Sequence, residues 1–124
     1  MLNKKRKIMS KIKIWHNPRC TKSREALSQL EENGCEIEVI KYLDSKLTVE
    51  EMKSLLKMLE MSARELMRTT EAVYKELGLK DVTDEEALIS AMVENPKLIQ
   101  RPILIKGSKA IIGRPASVIA EFIN

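Results

Sequence analysis

The sequence has a single histidine, only two cysteines and no long run of apolar residues. One histidine cannot form a cluster of imidazole ligands, so structural zinc is not expected. Cys20 and Cys35 are expected to be free thiols, which is typical of cytosolic chains with few cysteines. No apolar run approaches the roughly 20 residues that span a bilayer, and no signal peptide with an apolar middle region is present. These features predict a cytoplasmic protein without metal, membrane segment or disulfide.

The excess of positive charge is concentrated near the start of the chain. There are 22 Lys and Arg against 18 Asp and Glu, a net charge of +4, and the run Lys-Lys-Arg-Lys at 4–7 accounts for the difference. The rest of the chain is neutral overall, so no nucleic-acid partner is expected. We predict a basic, disordered leader over residues 1–10, with the fold needing nothing before Met9.

The first part of the chain after this leader has the pattern of a strand, a helix and a second strand. Apolar and polar residues alternate from Lys11 to Trp15 and again from Glu36 to Lys41, as in half-buried strands. Between them, apolar residues recur at helical spacing, and Asn33-Gly34 provides the stop. Two strands joined in this way are expected to pair in parallel with a right-handed crossover.

From about residue 48 to residue 94 the pattern is wholly helical. Thr48 with Glu51 and Thr83 with Glu86 have the spacing of capping boxes, and each pair stands before an apolar repeat. Two shorter helices are predicted between these repeats. The segment 48–94 is therefore predicted to be an all-helical insert between two strand regions.

The last part of the chain predicts a β-hairpin and a final helix. Strands are expected over 98–105 and 110–112. Pro102 is unusual inside a predicted strand because it removes a hydrogen-bond donor from the ladder, and a proline that opens a strand is where cis peptide bonds occur. The break at 113–115 precedes a helix whose first turn suits Pro115.

Together these patterns predict a single α/β domain over residues 11–124. Its order is βαβ, then the helical insert of about 48–94, then ββα. A chain of 124 residues is long enough to bury one sizeable core without help from disulfides or metal.

Cys20 is the strongest candidate for a reactive residue. It stands in the turn between the first strand and the first helix, where unpaired backbone N–H groups and the helix dipole favour thiolate over thiol. Four basic residues lie within a few positions of it: His16, Arg19, Lys22 and Arg24. Nearby cations lower the pKa of a thiol, so the pattern predicts a nucleophilic cysteine directed at an anion. His16 has two interpretations, an activating base or cation or a hydrogen-bond partner of the turn.

Three arginines stand at breaks in the pattern and are candidate anion ligands. They are Arg68 at the end of a helix, Arg101 before Pro102, and Arg114 before Pro115. Arginine suits an oxyanion because its planar guanidinium donates two parallel hydrogen bonds and stays protonated. The topology would bring Arg101 and Arg114 near the end of the first strand, on the side where open α/β sheets collect ligands. Taken singly, each could be ordinary solvated surface.

These motifs resemble the glutaredoxin-coupled arsenate reductase family, and most closely its short arsenate-reductase-like branch. The resemblance rests on His16-Asn17-Pro18-Arg19-Cys20 followed by Ser23-Arg24, on Ala63 to Arg68, on Tyr74 to Leu79, on Arg101-Pro102-Ile103 and on Gly113-Arg114-Pro115. It covers about Lys11 to Asn124. The resemblance implies a thioredoxin-like fold with a helical insert and a cis proline at Pro102.

The resemblance also implies a mechanism. Cys20 would attack arsenate and His16 would help to keep the thiol ionised. The oxyanion would be held by Arg68, Arg101 and Arg114, with Asn17, Ser23 and Pro102 in support. Glutathione, as a co-substrate, would attack the cysteine-bound arsenic, arsenite would leave, and glutaredoxin would recycle the mixed disulfide. No cofactor would be bound.

Two departures from the family pattern bear on this function. Thr21-Lys22 stands where arsenate reductases with established activity carry Gly-Thr, so a similar oxyanion stays open as the substrate. Ser23 stands where dithiol oxidoreductases carry their resolving cysteine, which argues against a Cys-x-x-Cys cycle. A helix of about twelve residues would hold Cys35 roughly 18 Å from Cys20, whereas a disulfide needs a Cα separation of roughly 4.4 to 6.8 Å.

The alternative function is that of a regulatory binding module. Spx-type transcriptional regulators resemble this fold and bind RNA polymerase without turning over a substrate. They usually carry a Cys-x-x-Cys motif, which Ser23 breaks here, and the three arginines as a set fit an oxyanion better.

Overall fold

The computed structural model of the chain describes residues 11–44, 46–114 and 117–123. The predicted leader of residues 1–10 and the predicted helix position of Pro115 lie outside these ranges. By its internal contacts the chain divides into two compact units. The helical unit spans Tyr42–Gln100, and the sheet unit consists of the chain on either side of it.

The sheet unit begins with the predicted strand, helix and strand. These are β1 (Lys11–Trp15), α1 (Thr21–Glu32) and β2 (Glu36–Ile40). β1 and β2 pair in parallel, from Lys11 opposite Glu36 to Trp15 opposite Ile40. The parallel pairing is confirmed, and α1 has the expected length of 12 residues.

The helical unit corresponds to the predicted insert. Its helices are α2 (Val49–Leu59), α3 (Ala63–Leu66), α4 (Ala72–Glu76) and α5 (Glu85–Glu94). Its fully buried side chains include Met52, Leu55, Leu66 and Met92. Within a helix such residues recur at helical spacing, as Met52 and Leu55 do in α2 and Leu88 and Met92 do in α5, which is why the insert could be predicted from periodicity.

Side chains cap the beginnings of α2, α3 and α5. Thr48 Oγ1 accepts a hydrogen bond from the Glu51 N–H at 3.1 Å, and the Glu51 carboxylate accepts one from the Thr48 N–H at 2.9 Å, which confirms the first capping box. The second box is wrong: α5 begins after Asp84, whose Oδ1 accepts from the Glu86 N–H at 3.3 Å. An aspartate N-cap satisfies that donor without Thr83. α3 begins with a further capping box that the pattern analysis does not predict.

The chain then returns to the sheet unit as a hairpin and a last helix. These are β3 (Ile103–Lys106), β4 (Lys109–Ile112) and α6 (Ser117–Ile123). β3 pairs antiparallel with both β1 and β4, which gives the strand order β2-β1-β3-β4. The strand predicted over 98–105 is too long, since Pro96–Leu98 is a 3₁₀ turn and β3 begins only after Pro102, which cannot donate to a ladder.

The core of the sheet unit is formed by alternate residues of β1 together with one face of each of its helices. Its buried members are Ile12, Ile14, Ala26, Leu30, Leu104, Ile119 and Ile123. This core fixes where β1 ends and where α1 begins, and thus anchors both ends of the loop between them. Throughout the described ranges, no helix is both long and apolar enough to cross a membrane.

Candidate active site

We call residues 16–20, between β1 and α1, the nucleophile loop. It leaves the sheet at His16, whose N–H donates to the Ile40 carbonyl at 2.9 Å. Asn17 then closes the loop twice: its carbonyl accepts from the Cys20 N–H at 3.0 Å and its Oδ1 accepts from the Arg19 N–H at 3.0 Å. Asparagine followed by proline is typical of such a turn. The loop therefore sets Cys20 at the first turn of α1.

Cys20 is the N-cap residue of α1. Its backbone is extended, with φ −95° and ψ 123°, and its carbonyl accepts from the Arg24 N–H at 3.0 Å. The side chain makes no capping hydrogen bond of ordinary geometry, but it faces the backbone N–H groups of Lys22 and Ser23. A sulfur in this position lies in the positive field of the helix N-terminus.

The balance of these surroundings favours the thiolate of Cys20. Burial by itself raises the pKa of the thiol, yet the net shift is downward. The N–H of Ser23, the hydrogen bond and charge of the Arg101 guanidinium, and the N–H of Lys22 together outweigh the burial. Because the thiolate is the nucleophilic form of cysteine, this shift makes Cys20 the candidate nucleophile of the site.

His16 is buried at the end of β1, with 6% of its surface exposed. Its Nδ1 lies 2.7 Å from Oγ of the fully buried Ser23, and the same Oγ accepts from the Asn17 N–H at 3.0 Å. Burial lowers the pKa of His16, and the charges of Lys41 and Arg24 lower it further. A neutral imidazole therefore joins the nucleophile loop to α1 through Ser23.

The lowered pKa of His16 favours the uncharged ring, which supplies no positive charge to Cys20. The contacts of the ring fit the interpretation of His16 as a hydrogen-bond partner of the turn, and its role as an activating base stays a prediction. The cation that acts on the thiol is Arg101, which is distant in the sequence and reaches Cys20 through the fold.

Arg101 precedes β3, and its surroundings are tightly built. The Arg101–Pro102 peptide bond is cis, as the resemblance implies, and the Pro102 carbonyl accepts from the Gly113 N–H at 2.8 Å. A Cβ on Gly113 would lie 3.2 Å from Pro102 Cγ and 3.4 Å from Leu104 Cγ, so only glycine fits there without movement. Among the described residues, the buried Nε of Arg101 has no hydrogen-bond partner. A buried donor without an acceptor is costly and rare.

The other two predicted arginines are placed differently. Arg114 is exposed and stands two residues beyond the end of β4. Arg68 belongs to the helical unit, where its Nη1 lies 2.7 Å from the Glu71 carboxylate. Arg101, in the sheet unit with Cys20, acts on the thiol through a hydrogen bond and its charge.

Cys35 lies just beyond the end of α1, half-buried against the core of the sheet unit. Burial raises the pKa of this thiol, and the charge of Lys106 opposes the shift only in part. Both cysteines are free thiols, as predicted. With the 12 residues of α1 between them, Cys35 has the character of a packed, unreactive thiol, and Cys20 has no resolving partner in it.

Two contributions to the site escape the sequence patterns. Arg24 donates from Nη1 to the Pro18 carbonyl at 2.9 Å and from Nη2 to Thr21 Oγ1 at 3.3 Å. Lys41, directly after β2, acts on His16 through its charge. The spacing of three between Thr21 and Arg24 could have indicated their contact. The effect of Lys41 depends on the parallel register of β1 and β2 and has no local signal.

The fold and the site define a class of protein. A mixed sheet, a cis proline before β3 and a thiol of lowered pKa at the N-terminus of the first helix describe a thioredoxin-like α/β protein with a helical insert. Among the described residues, no group of three histidine, cysteine or acidic side chains is placed to hold a metal ion.

Comparison with known proteins gives the family. The ArsC family model matches residues 15–122. YfgD, an uncharacterized protein of Escherichia coli (strain K12), is 54% identical over 115 residues, which is 91% of this chain and 97% of that protein. An arsenate reductase of Neisseria meningitidis is 49% identical over 109 residues, 86% of this chain and 93% of that protein. The solved structure of an arsenate reductase from Vibrio cholerae has a TM-score of 0.86 at 45% identity, covering 90% of this chain and 97% of that chain. The chain therefore belongs to the ArsC family, as its motifs predict.

Proposed function

We propose that the protein reduces arsenate to arsenite, with Cys20 as the nucleophile and glutathione as the reductant. The observation that carries the proposal is the juxtaposition of the Cys20 thiol, at the N-terminus of α1, with the half-buried Arg101, whose Nε is fully buried. The identity of the oxyanion is supported by relatives named arsenate reductase, which are 36 to 49% identical to the chain.

Arg101 is the principal ligand of the oxyanion in this proposal. Arsenate carries about one to two negative charges at neutral pH, and these repel an attacking thiolate unless they are offset. An arsenate oxygen would satisfy the buried Nε–H of Arg101, which has no partner among the described residues. Arg114 is a second ligand in this proposal, and the family resemblance adds Arg68.

In the first step, the Cys20 sulfur attacks the arsenic atom. A sulfur–arsenic bond forms, and one arsenate oxygen leaves as water after protonation. Backbone N–H groups and Arg101 stabilise the thiolate before the step and the oxyanion during it. His16 stays neutral and, through Ser23, keeps the loop in place.

In the second step, the thiolate of glutathione attacks the arsenic atom bound to Cys20, and a second arsenate oxygen leaves as water after protonation. A disulfide then forms between Cys20 and glutathione, both sulfur–arsenic bonds break, and the electron pair left on arsenic reduces it from the +5 to the +3 state, while water restores the third oxygen of arsenite. Arsenite leaves, and glutaredoxin with a further glutathione returns Cys20 to the thiol. An external reductant is required because Ser23 occupies the position of a resolving cysteine. We place this cycle in the cytoplasm, where glutathione keeps thiols reduced.

Thr21 is compatible with arsenate as the substrate. It occupies the first helical position of α1, and its φ is not positive, so the conformational freedom of glycine is not needed there. A similar oxyanion stays open as an alternative substrate because Lys22 adds a cation beside the site.

The test is arsenate-dependent oxidation of NADPH in a coupled assay with glutathione, glutaredoxin and glutathione reductase. We expect turnover by the full chain, loss of turnover in Cys20→Ser and unchanged turnover in Cys35→Ser. Arg101→Gln should raise the KM for arsenate, and Arg68→Gln and Arg114→Gln test the two further ligands.

A rate no higher than that of Cys20→Ser would overturn the proposal. Capture of RNA polymerase by such an inactive chain, with binding indifferent to Arg101→Ala and Arg114→Ala, would support the regulatory alternative instead. Turnover of another oxyanion, with none of arsenate, would keep the thiol mechanism and change the substrate.

A further inference from the structure

We propose that Arg24 is a positioning residue for Cys20, which holds the nucleophile loop in the conformation that presents the sulfur to the first turn of α1. The inference concerns the same site as the proposed function and rests on it for the reaction. Its test does not rest on it, because the reactivity of the thiol can be measured without arsenate.

The hydrogen bonds of Arg24 reach residues on both sides of Cys20. Its guanidinium donates to the Pro18 carbonyl at 2.9 Å and to Thr21 Oγ1 at 3.3 Å. Pro18 and Thr21 stand on either side of Arg19 and Cys20, so one planar group joins the two ends of the segment that carries the thiol. A planar fork with two donors is well suited to such a bridge, and a lysine could not reproduce it.

The other contacts of the loop hold different atoms. Asn17 fixes the backbone N–H groups of Arg19 and Cys20, and Ser23 fixes the N–H of Asn17. The carbonyl of Pro18 is held by Arg24. If that carbonyl is released, the peptide between Pro18 and Arg19 can rotate, and the Cys20 side chain loses its fixed direction toward the N–H groups of α1.

The action of Arg24 on Cys20 is separable from its charge. The groups that lower the pKa of the Cys20 thiol are the N–H groups of Ser23 and Lys22 and the guanidinium of Arg101, while burial opposes them. Arg24 acts by charge on His16 instead, together with Lys41 from the end of β2, and both add to the lowering caused by burial. An effect of Arg24 on Cys20 therefore passes through the position of the loop.

Thr21 is the second anchor of the bridge. A glycine at this position, as in the family pattern, offers no hydroxyl to the Arg24 guanidinium. Thr21, where the family pattern has glycine, thus gives Arg24 a second hydrogen-bond acceptor, on the other side of Cys20 from Pro18. The Thr21 hydroxyl and the Arg24 guanidinium should therefore be energetically coupled.

The experiment measures the rate of alkylation of Cys20 by iodoacetamide against pH, in the full chain with Cys35→Ser so that a single thiol reacts. Arg24→Lys keeps the charge and breaks the two-donor bridge. We expect it to slow alkylation at pH 6.5 by about threefold or more, the effect of one lost hydrogen bond, with the midpoint of the profile moved to higher pH. An unchanged profile would overturn the proposal.

The titration of His16, followed by NMR of its imidazole, separates charge from position. Arg24→Lys should leave the His16 midpoint close to that of the parent chain, and Arg24→Gln should raise it because a charge that lowers it is gone. If alkylation slows only in Arg24→Gln, charge and not position is responsible, and the proposal fails.

Thr21 provides the milder variants and a check on folding. Thr21→Val removes the hydroxyl and should slow alkylation, and Thr21→Ser, which keeps it, should restore the parent rate. Combined with Arg24→Lys, Thr21→Val should add little further, because both changes break the same bridge. Strict additivity of the two effects would contradict the bridge.

Arg19→Gln is the matched control. It removes one positive charge from the same turn while leaving the Pro18 carbonyl and Thr21 to Arg24. We expect its alkylation profile to match that of the parent chain, and a shift as large as that of Arg24→Lys would overturn the positioning role. If the parent chain alkylates as expected but does not turn over arsenate, the proposed function fails while this inference stands.

Discussion

At the scale of single residues, the lowered pKa of Cys20 comes from donors that belong to different parts of the chain. Two backbone N–H groups are supplied by α1 itself, and their presence follows from the strand, turn and helix pattern around Cys20. The guanidinium of Arg101 comes from more than eighty positions further along. Local sequence therefore predicts that the thiol is activated, whereas the fold determines which cation does it.

Arg101→Gln should reduce the reactivity of Cys20. A hydrogen bond to a charged group contributes about 1.5 kcal/mol or more, so alkylation at pH 6.5 should slow about tenfold. Arg114→Gln removes the same charge from an exposed position and serves as the control, with a smaller effect expected. Equal effects of the two substitutions would show that general charge, rather than the contact of Arg101 with the thiol, lowers the pKa.

The residues of the nucleophile loop show where sequence reasoning succeeds and where it stops. Asn17 and Cys20 could be placed correctly because turn residues and N-cap positions have local signals. The charge state of His16 could not, because its burial and the approach of Lys41 are tertiary effects. A cluster of basic residues in sequence is thus a weak guide to which of them acts on a thiol.

At the scale of secondary-structure elements, the helix starts provide a direct comparison. Thr48 and Glu51 form the predicted capping box, whereas the box predicted at Thr83 is replaced by an N-cap at Asp84. Two candidate N-caps in succession cannot be separated by spacing alone, because each places a short polar side chain ahead of the same apolar repeat. The pattern therefore cannot decide between Thr83 and Asp84 as the N-cap of α5, and the structure shows that it is Asp84.

Alanine substitutions should show, through the free energy of unfolding, that Thr48 and Asp84 are N-caps and that Thr83 is not. Thr48→Ala should lower the free energy of unfolding by about 1 kcal/mol and Asp84→Ala by a similar amount, as measured by urea denaturation. Thr83→Ala is the matched control and should change it by less than about 0.5 kcal/mol. A cost for Thr83→Ala as large as that for Asp84→Ala would contradict the observed start of α5.

The start of β3 is the second element at which the sequence pattern fails. The apolar residues from Leu98 onward predict one long strand, but the backbone turns at Pro96–Leu98 and the strand begins after Pro102. Strand length is overestimated because apolar periodicity cannot show where a ladder loses its partner. The same irregular segment carries Arg101, so the sequence pattern fails at the residue that we propose as the main oxyanion ligand.

Gly113→Ala should disturb this segment. The added Cβ would meet Pro102 Cγ at 3.2 Å and Leu104 Cγ at 3.4 Å, and overpacking of this kind costs about 1 to 3 kcal/mol. Because Pro102 is bonded to Arg101, alkylation of Cys20 should also change. Gly107→Ala, at φ +62° with open space around the new Cβ, should lower stability through backbone strain alone and leave alkylation unchanged. If Gly113→Ala and Gly107→Ala alkylate at the same rate, the contact of Gly113 with Pro102 has no effect on Cys20.

At the scale of the whole molecule, the order βαβ, helical insert, ββα could be predicted because each transition has a change of periodicity. The helical unit at Tyr42–Gln100 is somewhat longer than the predicted insert of 48–94, since its irregular ends carry no periodic signal. That residues 11–124 form one domain stays a prediction, as does a disordered leader over 1–10. Membership of the ArsC family, in contrast, could be predicted from a few short motifs in the right order and is confirmed.

The stability of the whole molecule should depend on pH through His16. Its pKa is lowered in the folded chain by burial and by the charges of Lys41 and Arg24, so the unfolded chain binds the proton first as the pH falls below about 6.5. In that interval the unfolded state holds more protons, and the free energy of unfolding falls with decreasing pH, with a slope approaching about 1.4 kcal/mol per pH unit. Urea denaturation of the parent chain and of His16→Gln, from pH 7.5 to pH 5, isolates this contribution because the other titrating groups are common to both. Plotted against pH, the free energies of unfolding of the parent and of His16→Gln should run parallel above the pKa of the unfolded chain. Below it they should converge or cross, because the parent loses stability faster. Parallel curves over the whole range would mean that His16 binds its proton equally well in the folded chain.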